Sequence, residues 1–393
     1  MTLLPIWTIG LLVLLLYALL LVGLNLAHRL RPASPLQLRG SDFVLSHGNG
    51  KLHITGRITI SNPHRRMEVF VPEIQLAPTL LGQTSLAGVT IDSRITAEHA
   101  DASARADGYW TAYIVKGRAS TAARIDVTIS DGSEDLAARL DTLWLEVKWV
   151  NYGPFGRLWR RDGLLVPLQR PAPLAKAAAT WRRGEHCQVL PLGTHLLGVL
   201  DEPISVLRQY ATAHLQPGDV LTIGETPLAV MQGRYHHPET VHPSPLARLL
   251  CRVFHPTSSL ATACGLQSLI DVVGPARVLN AWVLGTLLKV LGQKGWFYRL
   301  AGEQARLIDD VTGTTPPYDQ TIVLGPAAPQ QFCHEAAAAL GVAVAVVDVN
   351  DLGRVKVLAA SPGCDQGLLQ RALKPNPAGN ADERTPLVLV RPA

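Results

Sequence analysis

The sequence predicts three parts in series: one N-terminal transmembrane helix (residues 1–30), an all-β sandwich (36–167) and, past a linker over 168–186, an α/β (α+β) domain (187–393). Three observations predict it. Between Met1 and Ala27 no ionisable side chain occurs except Tyr17. From Leu36 to about Pro167 apolar residues recur at every second position, the period of a strand. From Gln188 onward helical periodicity alternates with short apolar runs, the texture of helices packed on a sheet.

The first helix is Leu-, Val- and Ile-rich, with Pro5 and Asn25 near its ends. Leu3 to Leu26 would extend about 36 Å, enough to cross a hydrocarbon core of about 30 Å with some tilt. A cleaved signal peptide would start with basic residues and have a shorter apolar run, and this chain has neither. His28, Arg29 and Arg31 follow the helix and nothing basic precedes it, so the positive-inside rule puts the N-terminus outside and the bulk of the chain in the cytoplasm. The chain reads as a single-pass cell-membrane protein in contact with lipid. Cys187, Cys251, Cys264, Cys333 and Cys364 are odd in number and lack paired spacing, as a reducing compartment allows.

With 393 residues, 47% of them hydrophobic, the chain can bury more than one core. Its net charge of +5 comes mainly from arginine. Arg157, Arg160, Arg161, Arg170, Lys176, Arg182 and Arg183 cluster without aromatic stacking platforms or a helix-turn-helix, so nucleic acid is not an expected partner. The cluster reads as a solvated linker over anionic headgroups.

In the sandwich, Leu52, Ile54, Ile58 and Ile60 alternate with polar residues, as do Ile125, Val127 and Ile129, and then Leu143, Leu145, Val147 and Trp149. Asn-Pro and Asp-Gly signals bound these half-buried strands. No Asp/His/Ser or metal constellation occurs here, so a structural or partner-binding module is expected. The stretch Ile58 to Asn62-Pro63, with Val69 to Leu76 and Gly88 to Ile91, resembles the water-stress/late-embryogenesis-abundant β-sandwich. Pro171, Pro173, the Ala run after Lys176, and Arg182-Arg183 mark the linker, and a chain beginning near Gly184 is expected to fold by itself.

In the last domain, Ile204–His214 reads as a helix, Val220–Ile223 as a buried strand, Gln331–Leu340 as a helix and Val342–Val347 as a strand. That strand runs into Asp348, Asn350, Asp351, Gly353 and Arg354. Carboxylates leaving the carboxyl end of a buried strand stand where open α/β sheets place ligands, and hard oxygen donors suit Mg²⁺ or Mn²⁺. Asp and Asn after a strand also serve as plain turn formers. An EF-hand is excluded, because its fifth position would be Leu352 and its twelfth Ala359. Asp309-Asp310 is a second acidic pair. Gly292, Lys294 and Gly295 could cradle phosphate, although their spacing is not a Walker A motif. His236, His237 and His242 lack a partner at ligand spacing, so neither zinc nor haem is expected.

The order of segments from about Leu192 resembles the ligase that adds γ-glutamate to the deazaflavin coenzyme F-420 precursor. The matching segments are Pro217-Gly218-Asp219-Val220, Gly224-Glu225-Thr226, Gln232-Gly233-Arg234, and the turn from Asn350 to Arg354 with Asp348 two residues earlier. The resemblance implies a GTP-dependent, divalent-metal ligase that acts as a homodimer and forms an amide, or γ-glutamyl, bond on a small carboxylate substrate through an acyl phosphate. It places metal on Asp348, Asn350, Asp351 and Asp309 or Asp310, and nucleotide on Gly233, Arg234, Lys294, Gly353 and Arg354. This sequence departs from the family at Thr226, where the ligases have Lys, and at Asn350, where they have a metal Asp. Those departures support an alternative: a catalytically degenerate relative that binds a ligand or partner at the membrane.

Overall fold

The computed structural model describes residues 6–29, 36–48, 50–82, 84–131, 136–153, 155–310, 315–350, 352–379 and 383–393. Ile6–Arg29 form helix α1. Its span Trp7–Leu26 is long and apolar enough to cross a membrane, and none of it is buried against the rest of the protein.

Strands β1 (Gln37–Gly48), β2 (Lys51–Ser61), β3 (Val69–Val71), β4 (Ile74–Leu81), β5 (Thr90–Glu98), β6 (Tyr113–Val115), β7 (Ser120–Ser130), β8 (Thr142–Gly153) and β9 (Gly156–Pro167) follow, with a single helical turn α2 (Leu136–Arg139) before β8. Among the described residues they form two antiparallel sheets, β1-β2-β7-β5 and β4-β8-β3-β6, with β9 paired to β8. The alternating residues expected to face inward do so: Leu52, Ile54, Ile58 and Ile60 meet Leu143, Leu145, Val147 and Trp149 in one core. Asn62, at the Asn-Pro break, is buried and its side-chain amide donates to the Met67 and Val115 carbonyls at 2.7 and 3.0 Å, tying the strand end to β6.

The C-terminal part comprises β10 (Arg182–Gly184), β11 (Cys187–Leu192), α3 (Pro203–Ala211), β12 (Val220–Gly224), α4 (Glu225–Met231), β13 (Tyr235–His236), α5 (Pro245–Leu250), α6 (Ala263–Val273), α7 (Pro275–Val290), α8 (Trp296–Ala301), α9 (Gln304–Leu307), β14 (Asp309–Asp310), β15 (Ile322–Val323), α10 (Pro329–Leu340), β16 (Ala343–Val349), β17 (Val355–Ala360), α11 (Gln366–Leu373) and β18 (Leu387–Pro392). The main sheet runs β10-β11-β18-β12-β16-β17. Its central pair β12 and β16 is parallel. Leu221, Ile223, Val344 and Val346 pack with Leu207 and Tyr210 of α3 and Phe332 of α10, while Val220, Ala345 and Val347 pack against Leu368, Leu369 and Leu373 of α11. A sheet covered on both faces explains why these strands read as unbroken apolar runs. A small sheet, β13-β15-β14, connects this body to a helical layer built on Leu260, Leu266, Leu269 and Val278.

Three expectations need correction. Residues 182–184 pair with β11, so the main sheet begins inside the stretch read as linker. Part of the arginine cluster belongs to the sandwich and not to a solvated linker, while Lys176, Arg182 and Arg183 are exposed. Arg157 pairs with Glu73 at 2.8 Å, Arg161 with Glu146 at 2.5 Å and Arg170 with Asp201 at 3.1 Å, while Arg160 is buried. These residues belong to strand β9 and its exit, where sheet pairing brings carboxylates alongside. The two soluble parts also share a core: Leu165 of β9 packs with Leu196, Val230, Tyr235, Tyr318 and Val323, and Trp144 leans on that cluster. The ribbon β8–β9 is therefore covered on both faces around Trp144 and Leu165, while its turn end, with Tyr152 and Trp159, stays exposed.

Candidate functional site

Gly224, the last residue of β12, is in register with Val347 of the parallel strand β16. The next residue on each strand is an acid, Glu225 and Asp348. Both line a cavity of about 460 Å³ together with Thr226, Asp309 and Asn350, and Thr194, Tyr318 and Arg384 complete its wall. This is the carboxyl edge of parallel strands, where the helix that follows leaves room for a ligand.

Two acids in this cleft, Glu225 and Asp309, are poorly accommodated as anions. Burial pushes the Glu225 carboxyl up to about 9, with the charges of Asp348 and then Asp309 adding to it and Lys356 and Arg354 opposing. Glu225 Oε2 is buried without a hydrogen-bond partner. Burial, reinforced by Asp348, raises Asp309 to about 6. Desolvation and like charge both favour the neutral acid, and a cation arriving in the cleft would reverse both.

The pair Asp309-Asp310 is split by strand geometry, since successive side chains in β14 point to opposite faces. Asp309 lines the cleft. Asp310 turns to the helical layer, where the Thr262 hydroxyl donates to its carboxylate. Asn350 closes its own turn: its side-chain oxygen accepts from the Arg354 backbone N–H at 3.0 Å, and its backbone N–H donates to the Arg354 carbonyl at 3.1 Å. Gly353 sits in that turn at φ 74°, a conformation that favours glycine. Asp351 lies outside the described residues.

The expected nucleotide set does not gather here. Arg234 Nε donates to the Gly325 carbonyl at 2.5 Å and its other nitrogen to Gln304 at 3.4 Å, so its guanidinium braces a loop. Gly233, at φ 67°, lets the chain leave α4. Lys294 is exposed in the turn between α7 and α8. The cations whose charge reaches Glu225 are Lys356, which also pairs with Glu303 at 3.8 Å, and Arg354, which is exposed. Sequence reasoning missed Glu225 as a site residue. The available signal was its position, first after a buried strand, as Asp348 is after Val347.

Among the described residues no three His, Cys, Asp or Glu side chains stand close enough to hold a metal ion by themselves. The described residues alone therefore build no dedicated all-protein cage. The donor set does fit an ion that arrives with a nucleotide, because Mg²⁺ is usually held by one or two carboxylates plus substrate phosphates and keeps several waters.

A second cavity, of about 590 Å³, opens between the two soluble parts and is lined by Arg139 and Arg170 from the sandwich side and Thr194, His195 and Arg384 from the other. Thr194, His195 and Arg384 line both cavities. Behind them His195 is buried between the Tyr210 hydroxyl at 2.7 Å and Asp201 at 3.0 Å, and the Gly198 N–H donates to the other Asp201 oxygen at 3.0 Å. This network fixes the loop that forms the floor shared by both cavities.

No curated protein matches the chain. Residues 37–170, the whole sandwich and its exit, match the family of the F420-0:gamma-glutamyl ligase N-terminal Ig-like domain.

Proposed function

We propose that the protein is a membrane-anchored, nucleotide- and divalent-metal-dependent ligase-like enzyme, joining the amine of glutamate to a small carboxylate substrate through an acyl phosphate. The observation that carries this reading is the convergence of Glu225, Asp309 and Asp348 on one cleft at the ends of adjacent parallel strands. The Ig-like domain on the same chain, of a kind that precedes a γ-glutamyl ligase, is its second support.

In this reading Asp348 and Asp309 would hold Mg²⁺ or Mn²⁺ brought with GTP, and Glu225 is the neighbouring carboxyl whose proton a cation there would displace. The metal would supply neutralisation of the nucleotide phosphates and of the transferring group. Arg384, which lines the cleft, and Lys356 and Arg354, whose charges reach Glu225, are the described cations that would steady phosphate oxygens. Tyr318 and the apolar floor from Leu196 to Leu197 exclude water from the reacting carboxylate, which limits loss of an acyl phosphate to hydrolysis. The helix α1 crosses the membrane with the soluble parts on the cytoplasmic side, because the basic residues follow it.

One observation favours a second reading, a degenerate relative that binds without turning over: the Asn350 side chain is engaged in its own turn. GTP hydrolysis by the full chain in detergent with Mn²⁺, with and without glutamate, tests the two. Hydrolysis that depends on Mn²⁺ supports the ligase reading. Nucleotide binding without hydrolysis under any combination supports the second, and no nucleotide binding at all refutes the ligase reading and leaves a module that binds another ligand or a partner.

A further inference from the structure

Helix α7 carries apolar residues on two opposite faces. Val278, Ala281 and Gly285 face the helical layer and are buried. On the opposite side Leu279, Val283, Leu287, Val290 and Leu291 are exposed, with Val290 at 82% and Leu291 at 75%. Their spacing of four, four, three and one residues puts them on one stripe of a helix that turns every 3.6 residues. A helix with two apolar faces is ordinarily buried on both, so the outer stripe lacks its partner.

Charge says what kind of partner fits. From Pro275 to Gly302 the chain carries Arg277, Lys289, Lys294 and Arg299 and not one acidic residue. Arg299 lies over the ring of Trp296 of α8, 5.2 Å from its centroid. Basic residues interspersed with exposed Leu and Val, with no acid among them, are the makeup of a helix that lies in a membrane interface. A second copy is a poorer fit, because a two-fold contact across this stripe would set the same basic residues against each other.

We infer that the outer face of α7 is a second membrane contact, which lies on a bilayer surface containing anionic lipid. The inference rests on the membrane-anchored part of the proposed function and not on its chemistry. Its consequence is positional: α1 limits how far the soluble parts can drift, and α7 sets which way they face. Substrates carried at the bilayer surface would then meet a fixed orientation of the cleft.

The test uses the full chain reconstituted into lipid nanodiscs of phosphatidylcholine with and without phosphatidylglycerol. A fluorophore is attached at Leu287→Cys, or at exposed Glu335→Cys on α10 as a reference, with the labelled wild-type chain as the baseline for its five native cysteines. Quenching by spin-labelled lipid is expected to be at least threefold stronger at position 287 than at 335. It should fall when phosphatidylglycerol is omitted or when Lys289→Glu and Lys294→Glu are introduced together. A chain that enters the disc but is quenched equally at both positions overturns the inference while leaving the anchor intact. Failure to enter the disc removes both. Efficient 287-to-287 disulfide formation in place of quenching assigns the stripe to a second copy and overturns the lipid assignment.

Discussion

Glu225 and Asp348 occupy equivalent positions on two neighbouring parallel strands, each the first residue beyond the registered pair Gly224 and Val347. Both turn into one cleft, and the charge on Asp348 is the largest electrostatic reason, after burial itself, that the Glu225 carboxyl stays protonated up to about 9. Burial and the charges of Asp348 and Asp309 thus act together to keep Glu225 neutral.

Glu225→Gln separates the structural from the functional share of this arrangement. At pH 7 the native carboxyl is protonated, so the amide is close to isosteric and isoelectronic with it. Thermal stability without ligand should change by less than about 0.5 kcal/mol. The extra stability conferred by Mn²⁺ with GTP should disappear. Melting curves with and without the pair check this, and a variant that responds to ligand as the native protein does would remove Glu225 from the site.

Asp162 makes stability depend on pH in the direction opposite to an ion-paired acid. Burial raises its carboxyl from 3.8 to about 7, with only the Gly163 N–H opposing. Below pH 3.8 both folded and unfolded states are protonated and the full contribution is in place. As pH rises towards 7 the unfolded chain ionises first, and the folded protein loses stability until its own group titrates. A shift of this size corresponds to roughly 4 kcal/mol as an upper bound. Asp162→Asn should therefore flatten the decline between pH 4 and 7 and stabilise the protein at pH 8. Denaturant midpoints across that range read it directly, and an unchanged slope in the variant would show that Asp162 is already solvated or paired.

The shared core between the sandwich and the C-terminal part sets the fate of truncations. The Tyr235 hydroxyl donates to the Gly163 carbonyl at 2.7 Å, Tyr318 stacks edge-on to Tyr235 at 4.9 Å, and the Trp144 ring covers Gly163 so closely that any Cβ there would overlap it. A chain starting at Gly184 should be insoluble or molten, contrary to what the composition of residues 168–186 suggests. Within the full chain Trp144→Ala should cost about 3–5 kcal/mol. Gly163→Ala should also destabilise, because the Trp144 ring must move. Independent cooperative melting of residues 184–393 would contradict the shared core.

Topology can be read with a thiol probe, although not at Cys187, which is buried under the sheet. Glu335→Cys on the exposed side of α10 should remain unlabelled by an impermeant maleimide in intact cells and label fully after lysis. Rapid labelling before lysis would reverse the orientation read from Arg29 and Arg31.

How far the sequence carries depends on which force fixes each element. Period two in β2, β7 and β8 is a burial signal, and burial against the opposite sheet decides those strands, so their inward faces were legible. The outward residue Trp144 was not, because a partner contributed by a distant segment leaves no local pattern. At the site Asp348 was legible from its place after an apolar strand. Asp309 and Asp310 could not be told apart until pairing of β14 with β15 showed which of them turns to the cleft. The surroundings of Arg234 and Lys294 were not legible for a common reason: a cation near glycine looks the same in sequence whether it meets a phosphate, a backbone carbonyl such as that of Gly325, or water.

Titration of Mn²⁺ with GTP into the full chain, by calorimetry at pH 7.5 in two buffers of different ionisation enthalpy, bears most directly on the acidic cleft as a nucleotide–metal site. Glu225 at about 9 is protonated at that pH, and a cation among these acids must displace its proton. The predicted result is saturable binding with release of close to one proton, both lost in Asp348→Asn. Binding without proton release, or binding that survives Asp348→Asn unchanged, would contradict the assignment of the metal and nucleotide to this cleft.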